Sequence, residues 1–302
     1  MIWVIGEHGM LGQQVIKTLE EKKLNYISSG SEVDITDYNQ LLSFTRNSGS
    51  NAFDSRIEYI INCAAYTKVD DAEDEKDKAY AINAKGPENI AKIARQLSAV
   101  LIHISTDYVF DGSASLPINE KAKKHPIGAY GQTKSDGEDF IQKNMAKYFI
   151  LRTAWLYGFN GKNFVYTMTK LMNSKDAIKV VADQRGTPTS CVTLSNVIVK
   201  LIEDTMKEKL IPYGIYNVTD EGETNWFEFA KTIQQFGKKY GRISENECVV
   251  NPCTTAEYPT KTQRPAYSVL DKTKIQKTLK IKLPDWKVSL KNFMQSKEFL
   301  VR

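Results

Sequence analysis

The chain has 302 residues and a mass of 34.2 kDa, enough for one large or two modest domains. With 41% hydrophobic and 25% charged residues, its composition is typical of a globular protein and excludes collagen-like and low-complexity classes. The formal charge of +5 arises from 41 basic and 36 acidic residues that are interleaved along most of the chain. This pattern indicates a lysine-rich surface rather than a nucleic-acid-binding stripe, so we expect no nucleic acid partner.

The chain shows no obvious membrane, export or metal signal. Its longest apolar stretch, residues 57–66, is interrupted by Glu58 and Asn62 and is too short to span a bilayer. The first five residues lack the basic start of a signal peptide. The four cysteines have neither CxxC spacing nor a paired histidine, which favours ordinary thiols and no metal site. We therefore expect a cytoplasmic protein with no membrane segment.

Short apolar runs alternate with helical patterns through the first half of the chain. The predicted strands are residues 2–5, 25–28, 59–63 and 100–104. The predicted helices are residues 12–22, a helix capped by Asp37, and residues 72–96 with a break near Gly86-Pro87. Strands separated by helices at this spacing form parallel sheets with right-handed crossovers. We predict an α/β protein with a Rossmann-type doubly wound parallel sheet.

After Arg152 the alternation becomes less regular. The predicted strands here are residues 178–181, 215–218 and 248–250, and the predicted helices are residues 196–207 and 225–240. We interpret this half as a second, smaller mixed α/β domain that binds substrate. The predicted boundaries are 1–152 plus a return segment at 188–213 for the dinucleotide-binding domain, and 153–187 plus 214–302 for the substrate domain.

A glycine motif stands between the first strand and the first helix. Gly6, Gly9 and Gly12 form a GxxGxxG pattern that includes Met10 and Leu11. Glycines permit a tight turn and a close backbone approach, and the helix N-terminus attracts a diphosphate. A plain strand-to-helix turn is the alternative. We expect all five residues to contact a dinucleotide.

The end of the second strand bears on the choice of cofactor. A carboxylate that binds the ribose is expected there, but the sequence has Ser28 and Ser29. With no acid to repel a 2′-phosphate, NADPH should be accepted, and use of NADH stays open. Asp34, with Ile35, is a candidate for the adenine end, although a helix cap at Asp37 explains this segment equally well.

Two further motifs supply chemistry. Thr106 lies in a polar run that directly follows the strand at 100–104, and Tyr130 precedes Lys134 by four residues. A tyrosine and a lysine at this spacing share one helix face, so the ammonium can lower the phenol's pKa from about 10 toward neutrality. Such a pair is suited to proton transfer.

Together these motifs resemble the extended short-chain dehydrogenase/reductase superfamily, and within it the reductases of dTDP-linked 4-keto sugars. The resemblance covers essentially the whole chain. Its other blocks are residues 62–73, 105–110, 152–158, 183–189 and Arg264-Pro265 with Ser268. It implies NADPH-dependent reduction of the C4 keto group of dTDP-4-dehydro-L-rhamnose, a nucleotide-sugar substrate.

The resemblance also implies roles for individual residues. Thr106 would hydrogen-bond the substrate carbonyl, Tyr130 would donate the proton, and Lys134 would tune Tyr130 and hold the nicotinamide ribose. The additional cofactor contacts implied are Ala64, Ala65, Tyr66 and Asn83. The substrate-pocket residues implied are Val69, Asp70, Asp107, Trp155 and Arg264. Two of these have structural alternatives, a core position for Trp155 and a helix-surface position for Asn83.

Three other functions are compatible with the same resemblance. Relatives serve as regulatory subunits of a partner enzyme, and others reduce different sugars, such as UDP-linked amino sugars. Similar dehydratases carry a glutamate base where this chain has Tyr108. A phenol with a pKa near 10 is a poor base, so we expect no elimination.

The last implication concerns assembly. Some similar reductases dimerise around Mg²⁺ held by three glutamates, and the corresponding positions here are Gln14, Val192 and Ser296. None of these side chains replaces a carboxylate ligand of Mg²⁺ well. We expect a monomer or a weak homodimer without a magnesium-bridged interface.

Overall fold

The computed structural model describes residues 1–47, 56–244 and 248–300. Its strands are β1 Ile2–Ile5, β2 Tyr26–Ser29, β3 Tyr59–Asn62, β4 Val100–Thr106, β5 Tyr148–Thr153, β6 Leu156–Tyr157, β7 Ala177–Val181, β8 Arg185–Gly186, β9 Thr189–Ser190, β10 Gly214–Asn217, β11 Thr224–Asn225 and β12 Val249–Cys253. Its α-helices are α1 Met10–Glu21, α2 Tyr38–Asn47, α3 Lys76–Tyr80, α4 Gly86–Leu97, α5 Ala129–Asn144, α6 Phe164–Met172, α7 Cys191–Met206, α8 Trp226–Lys239, α9 Thr273–Leu279 and α10 Trp286–Gln295.

The central sheet has six parallel strands in the order β10-β5-β4-β3-β1-β2. The chain leaves β1 toward β2 on one side, whereas β3 and β4 lie on the other. This reversal of strand order opens a crevice beyond the carboxyl end of β1, where ligands of such sheets bind. The predicted doubly wound parallel sheet is confirmed.

Helices cover both faces of this sheet, so β1 is fully buried. Val4 faces the core shared with α1 and α7, and Trp3 faces the core shared with α2 and α4. The helix predicted after Asp37 begins at Tyr38, and the Asp37 carboxylate accepts hydrogen bonds from the backbone N–H groups of Asn39 and Gln40. That cap is confirmed.

The predicted break near Gly86-Pro87 is wrong. The helical path continues from α3 into α4 through a π-helical segment, Ala81–Lys85. Because Pro87 has no N–H, the helix changes its hydrogen-bond pattern here, and the Gly86 N–H donates to Ala81 five residues back. The π segment includes Asn83, which is buried.

A separate aromatic core lies in the second half of the chain. It is built around Phe229, Trp286 and Phe293, and β7 pairs with β12 beside it. The assignment of residues 214–217 to this half is wrong, because β10 is the edge strand of the central sheet and pairs with β5. The division into two domains otherwise stays a prediction. No helix in the described ranges has both the length and the apolar character that crossing a bilayer requires.

Candidate active site

The glycine turn forms the floor of the crevice. Gly6 has a φ of +85°, and a Cβ there would lie 2.7 Å from the Ala64 backbone nitrogen. A Cβ on Gly12 would lie 2.1 Å from the Gly6 carbonyl oxygen, so α1 packs against the turn only because both residues are glycines. The helix begins after Gly9 with no side-chain cap from any described residue. Its first N–H groups thus suit a diphosphate.

The end of β2 is more acidic than the sequence indicated. The Ser28 hydroxyl donates to the Glu7 carboxylate, and the Gly30 N–H donates to Glu32. Ser29 is buried and accepts a hydrogen bond from the Trp3 indole at 3.0 Å. The expectation that no acid stands at this position is therefore wrong. Sequence reasoning missed Glu7 because it belongs to the glycine motif, 21 residues before Ser28.

The segment after β2 serves local structure. Asp34 accepts hydrogen bonds from the backbone N–H and the hydroxyl of Thr36, both at 2.8 Å. The Ile35 side chain is buried against Gly86 in the core. Cofactor contacts by Asp34 and Ile35 stay predictions.

Thr106, Tyr130 and Lys134 come together where β4 ends and α5 begins. The Thr106 hydroxyl donates to Asp107 at 3.0 Å. Tyr130 stacks edge-on against Tyr108, with ring centroids 5.5 Å apart. This approach requires Gly131, since a Cβ there would lie 2.2 Å from the Tyr108 carbonyl oxygen. Tight packing of α5 on the turn that follows β4 therefore positions the three predicted catalytic side chains.

The protonation of this cluster differs from the prediction. Burial raises the pKa of Tyr130 above its ordinary value, and a hydrogen bond with Thr106 offsets only part of that rise. The Lys134 ammonium nitrogen lies 2.6 Å from the Ile104 carbonyl oxygen, and burial lowers the pKa of Lys134 to about 8. A Tyr130 pKa near neutrality is therefore wrong for this structure. The phenol is held protonated, as a proton donor requires.

Asn83 connects the β3 loop to α5. Its side chain accepts from the Tyr66 N–H at 2.8 Å, donates to the Tyr66 carbonyl at 3.0 Å, and lies 3.3 Å from the Thr133 hydroxyl. Only 1% of Asn83 is exposed, so the helix-surface alternative is wrong. The Tyr66 ring packs beside α3, against Ala72 and Ala79, and it is the Tyr66 backbone that Asn83 fixes.

The predicted substrate residues form two groups. In the first, Arg264 donates to Asp70 at 2.6 Å and lies 3.3 Å from the Tyr108 hydroxyl. The Thr262 hydroxyl donates to the Val69 carbonyl, which fixes the segment before Arg264 over the β3 loop. In this group the C-terminal part of the chain meets the first half.

The second group is aromatic. Trp155 has a φ of +47° and stacks on Trp226 with ring centroids 3.6 Å apart. Its indole lies on Gly186, where a Cβ would be 2.5 Å away. Trp155 is partly buried and lines the cleft, and its contact with substrate stays a prediction.

One cleft of about 580 Å³ joins these features. The predicted residues that line it are Gly9, Met10, Leu11, Ala65, Val69, Thr106, Asp107, Tyr130, Lys134 and Trp155. The remaining predicted residues are not in its lining: Gly6, Gly12, Ser28, Ser29, Asp34, Ile35, Ala64, Tyr66, Asp70, Asn83 and Arg264. Lining residues that the sequence did not reveal include Thr67, Thr153 and Lys162. Thr67 lies in the block at 62–73, and Thr153 ends β5 within the block at 152–158. Those blocks mark the family without assigning a role to either residue, and no motif includes Lys162.

Fold and site together define an extended short-chain dehydrogenase/reductase: a glycine turn at the strand-order reversal, and a Thr/Tyr/Lys cluster in the same cleft. The family model described as RmlD substrate binding domain matches residues 1–299. The dTDP-4-dehydrorhamnose reductase of Aggregatibacter actinomycetemcomitans is 38% identical, with 96% of each chain covered.

Two solved structures agree with this match. The dTDP-4-dehydrorhamnose reductase of Clostridium acetobutylicum is 40% identical, with a TM-score of 0.87 over 97% of this chain and 98% of that chain. The Bacillus anthracis enzyme, solved in complex with NADP, is 37% identical, with a TM-score of 0.87 and 97% of each chain covered. The chain therefore belongs to the dTDP-4-dehydrorhamnose reductase family.

Proposed function

We propose that the protein reduces the C4 keto group of dTDP-4-dehydro-L-rhamnose to a hydroxyl, giving dTDP-L-rhamnose, with NADPH as the reductant. The observation that carries this proposal is the meeting of Thr106, Tyr130 and Lys134 with the glycine turn in one cleft. The names of the similar enzymes and the NADP complex of the Bacillus anthracis relative support the substrate and the cofactor.

The residues of the cleft fit this reaction. When bound, NADPH supplies the hydride. Thr106 and Tyr130 direct hydroxyl groups toward the oxygen on which negative charge develops. Tyr130 would then donate its proton to the alkoxide oxygen that hydride addition leaves at C4, and the pKa raised by burial keeps the phenol protonated until that moment. Lys134 would hold the nicotinamide ribose, and Val69 and Trp155, which line the cleft, would shield the reacting carbon from water.

Elimination chemistry does not fit the same cleft. Burial raises the pKa of Tyr108 to about 12, and its hydroxyl lies beside Arg264. Burial also raises the pKa of Asp107 to about 6. Because the Tyr108 phenol, with a pKa of about 12, is not a base at neutral pH, the cleft supports a reductase over a dehydratase.

The test is turnover by the purified protein with NADPH and a panel of dTDP- and UDP-linked 4-keto sugars. We expect oxidation of NADPH with dTDP-4-dehydro-L-rhamnose and formation of the 4-hydroxy product. Turnover of a UDP-linked amino sugar alone would assign a different substrate. Cofactor binding with no turnover of any sugar would favour a regulatory subunit.

We propose further that the protein works in the cytoplasm, binds no nucleic acid, and is a monomer or a weak homodimer without bridging Mg²⁺. Gln14, Val192 and Ser296 line one surface cleft, in which Lys17 pairs with Glu298. The Lys17 ammonium competes with a divalent cation for the Glu298 carboxylate. We expect EDTA to leave both activity and light-scattering mass unchanged. A dimer that dissociates in EDTA would contradict the proposal.

A further inference from the structure

A buried histidine lies directly beside Lys134. His103 is in the middle of β4 and has no exposed surface. Its Nδ1 is 3.0 Å from the Asn62 side-chain nitrogen, and its Nε2 is 3.4 Å from Lys134 Nζ. The ring therefore connects the end of β3 to Lys134, and the protonation state of the ring affects the lysine directly.

The orientation of Asn62 fixes the tautomer of His103. The Ala64 N–H donates to Asn62 Oδ1 at 3.1 Å, so Oδ1 faces the loop and Nδ2 faces the imidazole. An amide NH₂ group only donates, so Nδ1 of His103 must accept. The neutral ring then carries its proton on Nε2, and that N–H faces Lys134.

This arrangement discriminates between the two forms of the lysine. An ammonium has three donors and no acceptor, whereas a neutral amine has a lone pair that can accept from Nε2–H. Lys134 Nζ keeps one donor for the Ile104 carbonyl in either form. The contact with His103 is satisfied only by the neutral amine.

The other titratable groups near Lys134 leave this preference in place. Glu138 faces it from α5, but both Glu138 oxygens accept from Arg152, at 2.9 and 2.7 Å. Cys63 faces it from the end of β3, and burial raises the pKa of that thiol to about 12, which keeps it neutral. Burial lowers the pKa of His103 well below its ordinary value, so the imidazole stays neutral.

We propose that His103 is a positioning residue: its Nε2–H, oriented by Asn62, stabilises the neutral amine of Lys134 over the ammonium. The role rests on the proposed function and deepens it, because Tyr130 must regain a proton after each turnover and Lys134, four residues later on α5, lines the same cleft. A lysine that changes protonation near the working pH can take part in that recovery, whereas a permanent ammonium serves only as a fixed charge.

The tautomer of His103 can be tested without measuring enzyme activity. The chain has three histidines, and the His103 ring is assigned in ¹⁵N-histidine NMR spectra by the signal lost in His103→Gln. We expect the Nε2–H tautomer and no titration of the ring across the pH range in which the protein is folded. An Nδ1–H tautomer, or an imidazolium near neutral pH, would overturn the proposal.

The effect on Lys134 is tested by the pH profile of kcat. His103→Leu removes the Nε2–H that favours the neutral amine while the burial of Lys134 remains, so the limb of the profile assigned to Lys134 should move up by about one pH unit, a tenfold change in proton affinity. His103→Gln keeps an acceptor for Asn62 and an N–H for Lys134, so its pH profile should keep the limb of the wild-type protein. An unchanged limb in His103→Leu would overturn the proposal.

A variant that does not fold and a failure of the proposed function can each be told apart from a failure of the His103 proposal. If His103→Leu fails to fold, the wild-type tautomer and the pH profile of His103→Gln decide, and a limb moved by His103→Gln counts against the role. If the wild-type protein reduces no 4-keto sugar, the proposed function fails while the NMR result still stands or falls by itself.

Discussion

The two ends of the cleft are built differently. At the catalytic end, Thr106 and Lys134 are at most 6% exposed and are held by hydrogen bonds to β4 and the residue that follows it. At the β2 end, Glu32 is exposed and Glu7 is partly buried, and their carboxylates are held by the Gly30 N–H and by Ser28. Packing fixes the first set, so substitutions there should change rate or stability. Surface charge defines the second set, so substitutions there should change only cofactor choice.

The largest effect should come from the ion pair beneath the catalytic end. Glu138 is fully buried and accepts two hydrogen bonds from Arg152. Glu138→Gln leaves a buried guanidinium without its counter-charge and should lower the free energy of unfolding by about 3–5 kcal/mol. Denaturant unfolding measures it. Asp139→Asn, an exposed neighbour on α5, is the control and should cost less than about 0.5 kcal/mol.

The same pair gives a pH dependence. Burial raises the pKa of Glu138, but the hydrogen bonds and charge of Arg152 outweigh it and hold the pKa below its ordinary value. Its contribution to stability is therefore present above the unfolded-state pKa and is lost as the pH falls through the lower, folded-state pKa. Glu138→Gln should lack this acid-dependent component. An equal loss in both proteins would show that other carboxylates account for it.

Tyr130→Phe should have the next largest effect. Removing the only hydroxyl of the phenol removes the proton donor, so kcat should fall about a hundredfold or more, equivalent to about 2.7 kcal/mol. NADPH binding, followed by fluorescence titration, should survive because the ring and its contact with Tyr108 are kept. Near wild-type turnover would remove Tyr130 from the mechanism.

The smallest effect should come from the surface end. Glu7→Gln removes a partly buried negative charge near the position expected for a 2′-phosphate and should raise the affinity for NADPH relative to NADH by about fivefold. Titration with both cofactors measures the ratio. Glu21→Gln, at the far end of α1, is the matched control and should leave it unchanged. A ratio that Glu7→Gln does not move would place the phosphate elsewhere.

The sequence predicted what depends on local pattern. The buried strand at 2–5, the glycine turn and the Tyr130–Lys134 spacing are each contained in a few residues, and the structure brings the turn and the pair into one cleft. The contact of Glu7 with Ser28 and that of His103 with Lys134 join positions 21 and 31 residues apart. Those contacts depend on which strands pair in the sheet and on how α5 packs against it, and no short sequence motif encodes either.

Two other predictions are wrong for the same reason. The edge position of β10 follows from its pairing with β5, more than 60 residues earlier in the chain. The raised pKa of Tyr130 follows from burial, which the spacing to Lys134 does not reveal. In both cases tertiary packing decided the outcome and the local pattern was only compatible with it.

Hydride delivery to C4 of the sugar can be measured directly with NADPH in which both nicotinamide C4 hydrogens are deuterium. The acceptor is dTDP-4-dehydro-L-rhamnose, and NMR of the sugar product locates the label. We expect one deuterium, at C4 of the product. Product without deuterium, or with deuterium at another carbon, would contradict it.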